Sequence, residues 1–477
     1  MIRIVKQFNS NIVIGLEVHV ELNTLTKLFC SCSRHYEESE VPNSRVCPTC
    51  FGHPGSKPVL NRVALEKALK LALALNCKIA AQLIFSRKSY FYPDMSKNYQ
   101  ITQYEEPLGR QGQLKLSSGR IIHITRMHME EDPASLIHSG SYVLVDYNRS
   151  GNPLVEVVTA PELCSPQEAR DLMKQLVILL EYLEIFDNDE CVIKADANIS
   201  VKSSGYTRVE IKNITGFKEI ESALCYEIKR QLKDIKDGIK IQGETRGWDA
   251  QKQVTYSMRS KESEEDYGYI IDADLVPINI SQALIKQIRD TMPELADAKT
   301  QRFATKGVLF ETAKVISSDK DLAEFLESVI EKGANPSLAA NWVRRELVRV
   351  LKHEKVKLRD SRLTPQHMAD LIELIETNVI SEKTGQRIIE KLAQKSFDVK
   401  AYVKEEGLSR ISDASALEQY AKEVIAEHIS AVKDYHSGEE KAFNFLVGKV
   451  MQKTKGKGDP GRINDILRHL LRDSKQH

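Results

Sequence analysis

Two close pairs of cysteines stand near the start of the chain, Cys30-Ser31-Cys32 and Cys47-Pro48-Thr49-Cys50. Fourteen residues separate the pairs. Four thiolates on two tight turns suit one tetrahedral zinc ion, and such a closed site leaves no position open for catalysis. The spacing therefore predicts a structural zinc knuckle within residues 28–52. The alternative is four unbound thiols in a reduced loop, and a metal assay on protein purified without chelator separates the two.

A second group combines carboxylates with one imidazole. In the strand-like run from Ile14 to Val20, alternation places Glu17 and His19 together on the polar side. Glu130 and Glu131 end another predicted strand, and Glu156 interrupts an apolar one. The candidate catalytic residues are His19, Glu130, Glu131 and Glu156. Oxygen ligands with an imidazole suit a magnesium ion that bridges phosphates, although an acid in an apolar strand more often only faces solvent.

Composition bounds the class of protein that carries these residues. With 477 residues, 42% of them apolar and 28% charged, the chain is long enough for two or three globular domains. No apolar run reaches the length that spans a membrane, and the first ten residues lack the apolar core of a secretion signal. The other four cysteines are scattered, which argues against a disulfide framework. We expect a cytoplasmic location.

Periodicity predicts the elements that position these groups. Strands are expected where polar and apolar residues alternate: Ile121–Met129, Ser141–Asp146, Pro153–Val158, Val192–Val201 and Arg208–Asn213. Amphipathic helices are expected at Leu60–Asn76, from the capping box at Ser165 to Leu183, and at Ile220–Ile235. From about Met292 the spacing is helical throughout, with helix starts at Asn335-Pro336 and Thr364-Pro365. The predicted fold class is α+β: a mixed or antiparallel sheet with a zinc knuckle, followed by an all-helical C-terminal region.

The end of the chain is basic although the whole chain carries only +1. Residues 441–477 hold nine Lys plus Arg against three Asp, which is +6 with histidine neutral. Such a segment favours contact with phosphates, and the alternative is a solvated basic helix. A glycine-lysine loop, residues 453–461, matches the dinucleotide fingerprint by letter, but a helix precedes it where a strand is required.

Several motifs resemble those of the GatB family, the B subunits of the aspartyl/glutamyl-tRNA amidotransferases. They occur in order along most of the chain: Ile14-Gly15-Leu16-Glu17-Val18-His19-Val20-Glu21-Leu22, Lys27-Leu28-Phe29-Cys30, Val46-Cys47-Pro48-Thr49-Cys50, Arg87-Lys88-Ser89-Tyr90-Phe91-Tyr92-Pro93-Asp94, Asp146-Tyr147-Asn148-Arg149, Val209-Glu210-Ile211-Lys212-Asn213, Glu244-Thr245-Arg246-Gly247-Trp248 and Phe445-Leu446-Val447-Gly448. The related archaeal GatE subunit carries an inserted domain to which nothing here corresponds.

This resemblance implies a reaction. The side-chain carboxylate of Glu on tRNA(Gln), or of Asp on tRNA(Asn), is activated by ATP and magnesium as an acyl phosphate. Ammonia then displaces phosphate and forms the amide. The ammonia comes from glutamine hydrolysed by a GatA-type amidase subunit, and a small GatC-type subunit joins the two. The chain would thus be a carbon–nitrogen ligase that works within a complex.

The resemblance also suggests roles for particular residues. The expected magnesium ligands are His19, Glu131 and Glu156, with Glu130 nearby. Residues expected to contact phosphates or the aminoacyl end are Lys97, Asn98, Arg149, Lys212 and Asn213. The implied domains are a cradle domain (residues 1–291), a helical linker domain (292–410) and a basic tail domain that contacts tRNA (411–477).

Two other classes of function remain to be weighed. A zinc-ribbon module that only binds nucleic acid has no need of Glu130, Glu131 and Glu156 near its ligand. A scaffold that only holds an amidase has no need of His19 among polar groups on several strands. ATP hydrolysis stimulated by mischarged tRNA separates both classes from a ligase subunit.

Overall fold

The computed structural model describes residues 10–35, 37, 39–260, 268–410, 414–454 and 457–473. The chain divides into two compact units, Met1–Leu295 and Ala296–His477. The first unit combines strands and helices, and the described part of the second is helical. The predicted α+β class with a helical C-terminal region is confirmed. The three-domain division at residues 291 and 410 stays a prediction.

The first unit contains sixteen described strands. They are β1 (Ile12–Glu21), β2 (Lys78–Ile79), β3 (Gln82–Leu83), β4 (Ser86–Ser89), β5 (Tyr99–Thr102), β6 (Gly109–Lys115), β7 (Ile121–Glu131), β8 (Ser135–Ser139), β9 (Tyr142–Asp146), β10 (Pro153–Thr159), β11 (Ile193–Val201), β12 (Val209–Thr215), β13 (Glu244–Asp249), β14 (Val254–Ser260), β15 (Gly268–Ile271) and β16 (Ile278–Asn279). All six strands predicted from alternation, the run from Ile14 to Val20 among them, are present. Nine of the sixteen form one sheet.

The nine-stranded sheet has the order β14-β13-β12-β11-β1-β10-β7-β6-β2. Its described neighbours pair antiparallel, apart from the parallel pair of β12 and β13. Strand β1 lies in the middle, between β10 and β11, so its side chains have neighbours on both sides. The remaining strands form three small sheets, β15-β4-β5, β16-β3 and β8-β9.

Helices cover one face of the large sheet. The helices of this unit are α1 (Pro48–Phe51), α2 (Arg62–Ala74), α3 (Pro166–Tyr182), α4 (Phe217–Lys236) and α5 (Gln282–Asp290). Leu69 of α2, Leu176 of α3 and Leu224 of α4 share one buried core with Leu16 and Val18 of β1. Burial of these apolar side chains stabilises the unit, and the opposite face of the sheet is left for polar groups.

The first turn of α3 shows why this helix could be located from sequence. The Ser165 side chain accepts a hydrogen bond from the Glu168 amide, and Pro166 occupies the first helical position, where no amide donor is needed. The Glu168 carboxylate accepts from the Cys164 amide, one residue before the cap. The first contact satisfies an amide that the helix itself leaves unpaired, and the second ties the residue before the cap to the first turn.

The second unit is built from twelve described α-helices: α6 (Ala296–Thr305), α7 (Phe310–Ser317), α8 (Lys320–Glu331), α9 (Pro336–Trp342), α10 (Val348–Glu354), α11 (Pro365–Glu376), α12 (Glu382–Gln394), α13 (Val399–Glu405), α14 (Ala414–Glu427), α15 (Ile429–His436), α16 (Glu440–Lys453) and α17 (Pro460–Asp473). Asn335 and Thr364 cap α9 and α11, as their sequence predicts.

Helices α14 to α17 share a small apolar core that includes Leu417, Leu446 and Leu467. Lys453 at the end of α16 binds two carboxylates of α14, Glu423 at 2.8 Å and Glu427 at 2.7 Å. Part of the basic charge predicted for the tail is therefore neutralised within the unit. Residues 411–413, where the predicted tail begins, and residues 455–456 of the glycine-lysine loop lie outside the described residues.

Candidate active site and metal centres

The register of three neighbouring strands assembles a row of polar side chains on the face without helices. On β1, His19 pairs with Glu156 of β10, and Glu156 pairs in turn with His128 of β7. Residues that pair across strands project from the same face. Glu130 lies two residues beyond His128 and so shares that face. Four side chains from three strands thus converge, although they are far apart in sequence.

His19, Glu130 and Glu156 form a candidate metal centre. The His19 Nε2 atom lies 3.3 Å from Glu130 Oε1 and 3.8 Å from Glu156 Oε2. One donor atom from each of the three residues can be chosen within 4.8 Å of the others, and both carboxylates are buried. Two buried carboxylates and one imidazole suit a hard divalent cation that completes its shell with water or substrate oxygens.

His128 is a fourth member of the cluster, and it was not predicted from the sequence. Its Nε2 atom lies 3.0 Å from Glu156 Oε2 and 3.7 Å from Glu130 Oε2, while its Nδ1 is buried without a hydrogen-bond partner among the described residues. Burial opposes the charged imidazole, but the Glu156 and Glu130 carboxylates outweigh it and raise the pKa of His128 to about 9. His128 therefore contacts both carboxylates of the cluster.

The pKa values of the two carboxylates shift in the opposite direction from that of His128. Burial by itself would raise the pKa of Glu156, yet the two imidazoles of His128 and His19 lower it below its ordinary value. Burial also acts to raise the pKa of Glu130, but the imidazoles of His128 and His19 lower it by more, so its pKa lies below the ordinary value. Both side chains are therefore ionised and ready to bind a cation at neutral pH.

Glu131 does not join this cluster. Consecutive residues of a strand point to opposite faces, so Glu131 projects away from Glu130. Its carboxylate binds the Lys97 ammonium at 2.6 Å and accepts a hydrogen bond from the Ile101 amide at 2.9 Å. The sequence-based prediction made Glu131 a magnesium ligand with Glu130 nearby. In the structure Glu130 occupies that position beside His19 and Glu156.

The four predicted cysteines form the second candidate metal centre. Sulfur atoms of Cys30, Cys32 and Cys47 lie 3.5–3.7 Å from the Cys50 sulfur, and donor atoms of all four residues lie within 4.8 Å of one another. Four sulfurs placed about 2.3 Å from a tetrahedral zinc ion would be separated by about 3.8 Å, so the spacing fits zinc. The donor set is closed, as expected for a structural site.

Lys27 lies beside the sulfurs and is fully buried. Its Nζ atom is 3.8 Å from Cys50 Sγ and donates to the Arg45 carbonyl at 2.9 Å. A hydrogen bond from Cys30, together with the Lys27 ammonium, keeps the pKa of the Cys50 thiol well below its ordinary range. A cation at this position offsets part of the negative charge that four thiolates accumulate.

Comparison with known proteins identifies the family. Residues 12–286 match the family described as the GatB/GatE catalytic domain, and residues 324–471 match the GatB domain. The chain belongs to the GatB family. The resemblance drawn from its motifs is confirmed, and both candidate metal centres fall within the matched catalytic domain.

Relatives of the GatB family match over nearly the full length. The B subunit of the aspartyl/glutamyl-tRNA(Asn/Gln) amidotransferase of Carboxydothermus hydrogenoformans is 43% identical over 474 residues, covering 96% of this chain and 98% of the relative. The protein of the same name from Moorella thermoacetica is 42% identical over 473 residues, with 96% and 99% covered. That of Thermotoga maritima is 41% identical over 475 residues, with 96% and 98% covered. No helix among the described residues is long and apolar enough to cross a membrane.

The predicted substrate-contacting residues of this GatB chain are spread over several places. Lys97 is bound to Glu131, and the adjacent Asn98 has a positive φ of 60° in a turn. Arg149 binds Asp132 at 3.1 Å and donates to two backbone carbonyls of the same loop. Lys97 and Arg149 are therefore both paired with carboxylates of the protein and are not free to bind a phosphate.

Lys212 lies on the polar face of the sheet and interacts electrostatically with Glu17. Its Nζ atom is 3.3 Å from Asp196 and 3.5 Å from Glu210. Although burial opposes its charge, these two carboxylates raise the pKa of Lys212. Asn213 lies in the same strand, β12, and the structure describes nothing of its side chain.

Glu17 is a further residue of this face, to which the sequence pattern assigned no role beyond its place beside His19. It pairs in register with Asp196 on β11, and its carboxylate accepts a hydrogen bond from Asn198 Nδ2 at 2.9 Å. Burial first, and then the carboxylates of Glu156, Glu210 and Asp196, raise the pKa of Glu17. The polar face therefore carries more carboxylates than the metal cluster alone requires.

Proposed function

We propose that this chain is the component of a tRNA-dependent amidotransferase that activates the side-chain carboxylate of Glu-tRNA(Gln), Asp-tRNA(Asn) or both with ATP, and then forms the amide with ammonia. The observation that supports this most directly is the buried cluster of His19, Glu130 and Glu156 within the matched GatB/GatE catalytic domain. Relatives over 40% identical are named as the B subunits of such enzymes.

The cluster residues would hold Mg²⁺ through one imidazole and two carboxylates. Magnesium supplies neutralisation of phosphate charge when ATP transfers its γ-phosphoryl group to the substrate carboxylate. His128 keeps Glu130 and Glu156 oriented toward His19, since it contacts both carboxylates. Because the carboxylates are buried and fixed by the sheet, little reorganisation accompanies the reaction.

The two chemical steps balance without a nucleophile from the protein. The substrate carboxylate oxygen attacks the γ-phosphorus of ATP, and ADP leaves. Ammonia then attacks the acyl phosphate carbon, inorganic phosphate leaves, and a proton is released from the nitrogen. The polar face, with Asp196 and Glu210, offers carboxylates that can accept this proton.

Ammonia requires a source, and we propose a partner amidase of the GatA type with a small GatC-type subunit. The names of the relatives describe one component of a multi-subunit amidotransferase. The sequence contains no Gly-x-Ser-x-Gly nucleophile motif. A separate glutaminase, which releases ammonia from glutamine, is the simplest source of the nitrogen nucleophile.

The four cysteines would hold zinc as a structural ion, and no reaction step passes through them. Their closed donor set and the neighbouring Lys27 support a role in folding the loop between β1 and α2. Zinc would supply the stability that this loop does not obtain from a core of its own.

For tRNA we propose contact through the C-terminal helices of residues 411–477. Exposed cations such as Lys441, Arg468 and Arg472 remain there, although Lys453 is neutralised. Deletion after Arg410 is expected to weaken tRNA binding and to flatten its dependence on salt, since fewer counterions are released. Equal salt slopes for the full-length and shortened complexes would contradict this contact.

The function is tested with the chain in complex with its amidase and small subunits. The complex is offered Glu-tRNA(Gln) and Asp-tRNA(Asn) separately, each with glutamine, ATP and Mg²⁺. Formation of Gln-tRNA or Asn-tRNA that depends on ATP is expected, and it should disappear in His19→Ala while glutamine hydrolysis persists. Amide formation that is unchanged in His19→Ala, or is independent of ATP, would overturn the proposal.

A further inference from the structure

A cavity of about 230 Å³ opens on the polar face of the sheet, next to Glu17, which lies two residues from His19 on β1. Gly15, Glu17 and Asn198 line it, together with Arg208 and the apolar side chains of Val158 and Pro161. Gly15 pairs with Asn198 across β1 and β11, and it leaves the cavity free of a side chain at that point. The cavity is large enough to hold part of a substrate. His19 of the metal cluster lies on the same strand as Gly15 and Glu17.

Glu17 presents a carboxylate to this cavity and forms no ion pair among the described residues. One oxygen, Oε1, accepts from Asn198 Nδ2 at 2.9 Å. Lys212 forms its ion pairs with Asp196 and Glu210, and Lys212 and His19 interact with the Glu17 charge from beyond ion-pair distance. The cavity thus contains a carboxylate that forms no direct ion pair with a cation among the described residues.

Asn198 adds a second unused acceptor. Its Oδ1 atom is buried and has no hydrogen-bond partner among the described residues. The orientation of the amide is fixed, because the Nδ2 group must face the Glu17 carboxylate. A buried carbonyl oxygen without a donor is unfavourable, so a ligand that donates here is bound more tightly.

An ammonium group matches both acceptors. It has three donors and a positive charge, so it can bind the Glu17 carboxylate and the Asn198 oxygen together. The aminoacyl ester on a charged tRNA carries one such group at its α-carbon. The guanidinium of Arg208, which also lines the cavity, would repel an ammonium and is therefore not part of this recognition.

The distance to the metal cluster agrees with this assignment. Glu17 and His19 lie two residues apart on one face of β1, a separation of about 6.5 Å along a strand. In an extended glutamyl group, the α-nitrogen and the side-chain carboxyl carbon are about 5 Å apart by standard bond lengths. With its α-nitrogen held at Glu17, the glutamyl group is long enough to bring its side-chain carboxyl group to His19, where the proposed Mg²⁺ would be held.

We propose that Glu17 and Asn198 bind the α-ammonium group of the aminoacyl ester and so direct its side-chain carboxylate to the His19, Glu130 and Glu156 cluster. This inference rests on the proposed function and names the substrate group that the cavity recognises. Glu17 acts on a part of the substrate that does not react. Its contribution is to position the reacting carboxylate.

The test compares two substrates in the complete complex. One is Glu-tRNA(Gln), and the other is tRNA(Gln) carrying 2-hydroxyglutarate, in which a hydroxyl replaces the α-ammonium without added bulk. For each, kcat/KM of amide formation is measured with the wild-type chain, Glu17→Gln and Arg208→Gln. The wild type is expected to prefer the natural ester by about 30-fold, the range of a charge-assisted hydrogen bond.

Glu17→Gln should lower kcat/KM for the natural ester by about 30-fold and change the hydroxy ester by less than about twofold, so the preference disappears. Asn198→Ala should reduce the preference in the same direction by about fivefold. Arg208→Gln, the matched control on the cavity wall, should leave the preference at its wild-type value whatever it does to both rates.

Equal losses for both substrates in Glu17→Gln would overturn the inference, because they would assign Glu17 to the metal or to the fold. A wild-type complex that shows no preference between the esters would overturn it as well. Failure of the wild-type complex to amidate either ester would instead contradict the proposed function, so the two failures are distinct.

Discussion

The two candidate metal centres of this chain are built in different ways. The four cysteines lie within 21 residues of one another, and two short turns bring their sulfurs together. The cluster of His19, Glu130 and Glu156 draws on three strands, and more than 100 positions separate His19 from the two glutamates. A local centre depends on the spacing of its residues in the sequence, whereas a centre across strands depends on how the strands pair. A shift of one residue in that pairing would replace the side chains of the centre by others.

The largest expected contrast is between neighbouring glutamates. Glu130→Gln removes a carboxylate from the cluster and should lower kcat of amide formation by about 10³-fold, comparable to loss of a group that stabilises the transition state. Glu131→Gln removes a carboxylate that lies outside the cluster and binds Lys97, so it should lower kcat by only about tenfold. Glutamine hydrolysis by the partner should persist in both. Equal losses would mean that the register does not separate the two roles.

In the cysteine centre, loss of one ligand should lower the stability of the protein and affect the rate of amide formation much less. Cys47→Ser removes one of four ligands and should weaken zinc binding by about 10²-fold or more. The expected signs are loss of bound zinc in a metal assay and a lower unfolding temperature of the complex. Material that still holds zinc should retain amide formation within a few-fold of wild type. A variant with full zinc and full stability would show that the cysteines do not act as ligands.

The raised pKa of His128 predicts that the stability provided by the cluster across the strands depends on pH. Because the folded-state pKa is raised to about 9 from an ordinary 6.5, its stabilisation is fully present below pH 6.5 and is lost as pH rises through 9. Metal-free wild type should lose about 2–3 kcal/mol of unfolding free energy across that window relative to His128→Gln. Denaturant unfolding at pH 6, 7.5 and 9 measures this difference.

His123→Gln serves as the control for that measurement, since His123 is mostly exposed on the same strand. It should follow the wild-type pH dependence. If His128→Gln also followed it, the His128 imidazole would not be the group that carries the effect.

The smallest expected effect concerns the buried ammonium beside the sulfurs. Lys27→Met keeps the length of the side chain and removes its charge, so it should weaken zinc binding by about tenfold, as measured by competition with a chelator. Lys27→Arg keeps the charge and should restore much of the affinity. Equal zinc affinities of wild type and Lys27→Met would show that the charge is not needed.

These two centres also show what could be predicted from the sequence. Cys30, Cys32, Cys47 and Cys50 were found by spacing alone, because the chain itself limits how far such ligands can separate. The helix at Ser165 and the helical second half followed from caps and periodicity in the same way. Motifs spread along the chain then identified the family.

The members of the long-range cluster could be predicted only in part. His19 and Glu156 were identified, but the choice between Glu130 and Glu131 depends on which face of β7 meets β10, and that follows from pairing with distant residues. His128 could have been found by stepping two residues back from Glu130 along a predicted strand. The pairing of Lys97 with Glu131 depends on a loop docking that no local pattern specifies.

The central position of β1 has a consequence for how the protein is made. Its two partners, β10 and β11, follow about 140 and 180 residues later, as the pairing of His19 with Glu156 and Lys194 shows. During synthesis β1 therefore leaves the ribosome long before either neighbour exists, and its backbone edges stay unpaired and its apolar face uncovered meanwhile. Such non-local pairing slows folding and exposes chains to aggregation, so we expect nascent chains that end before residue 201 to depend on chaperones.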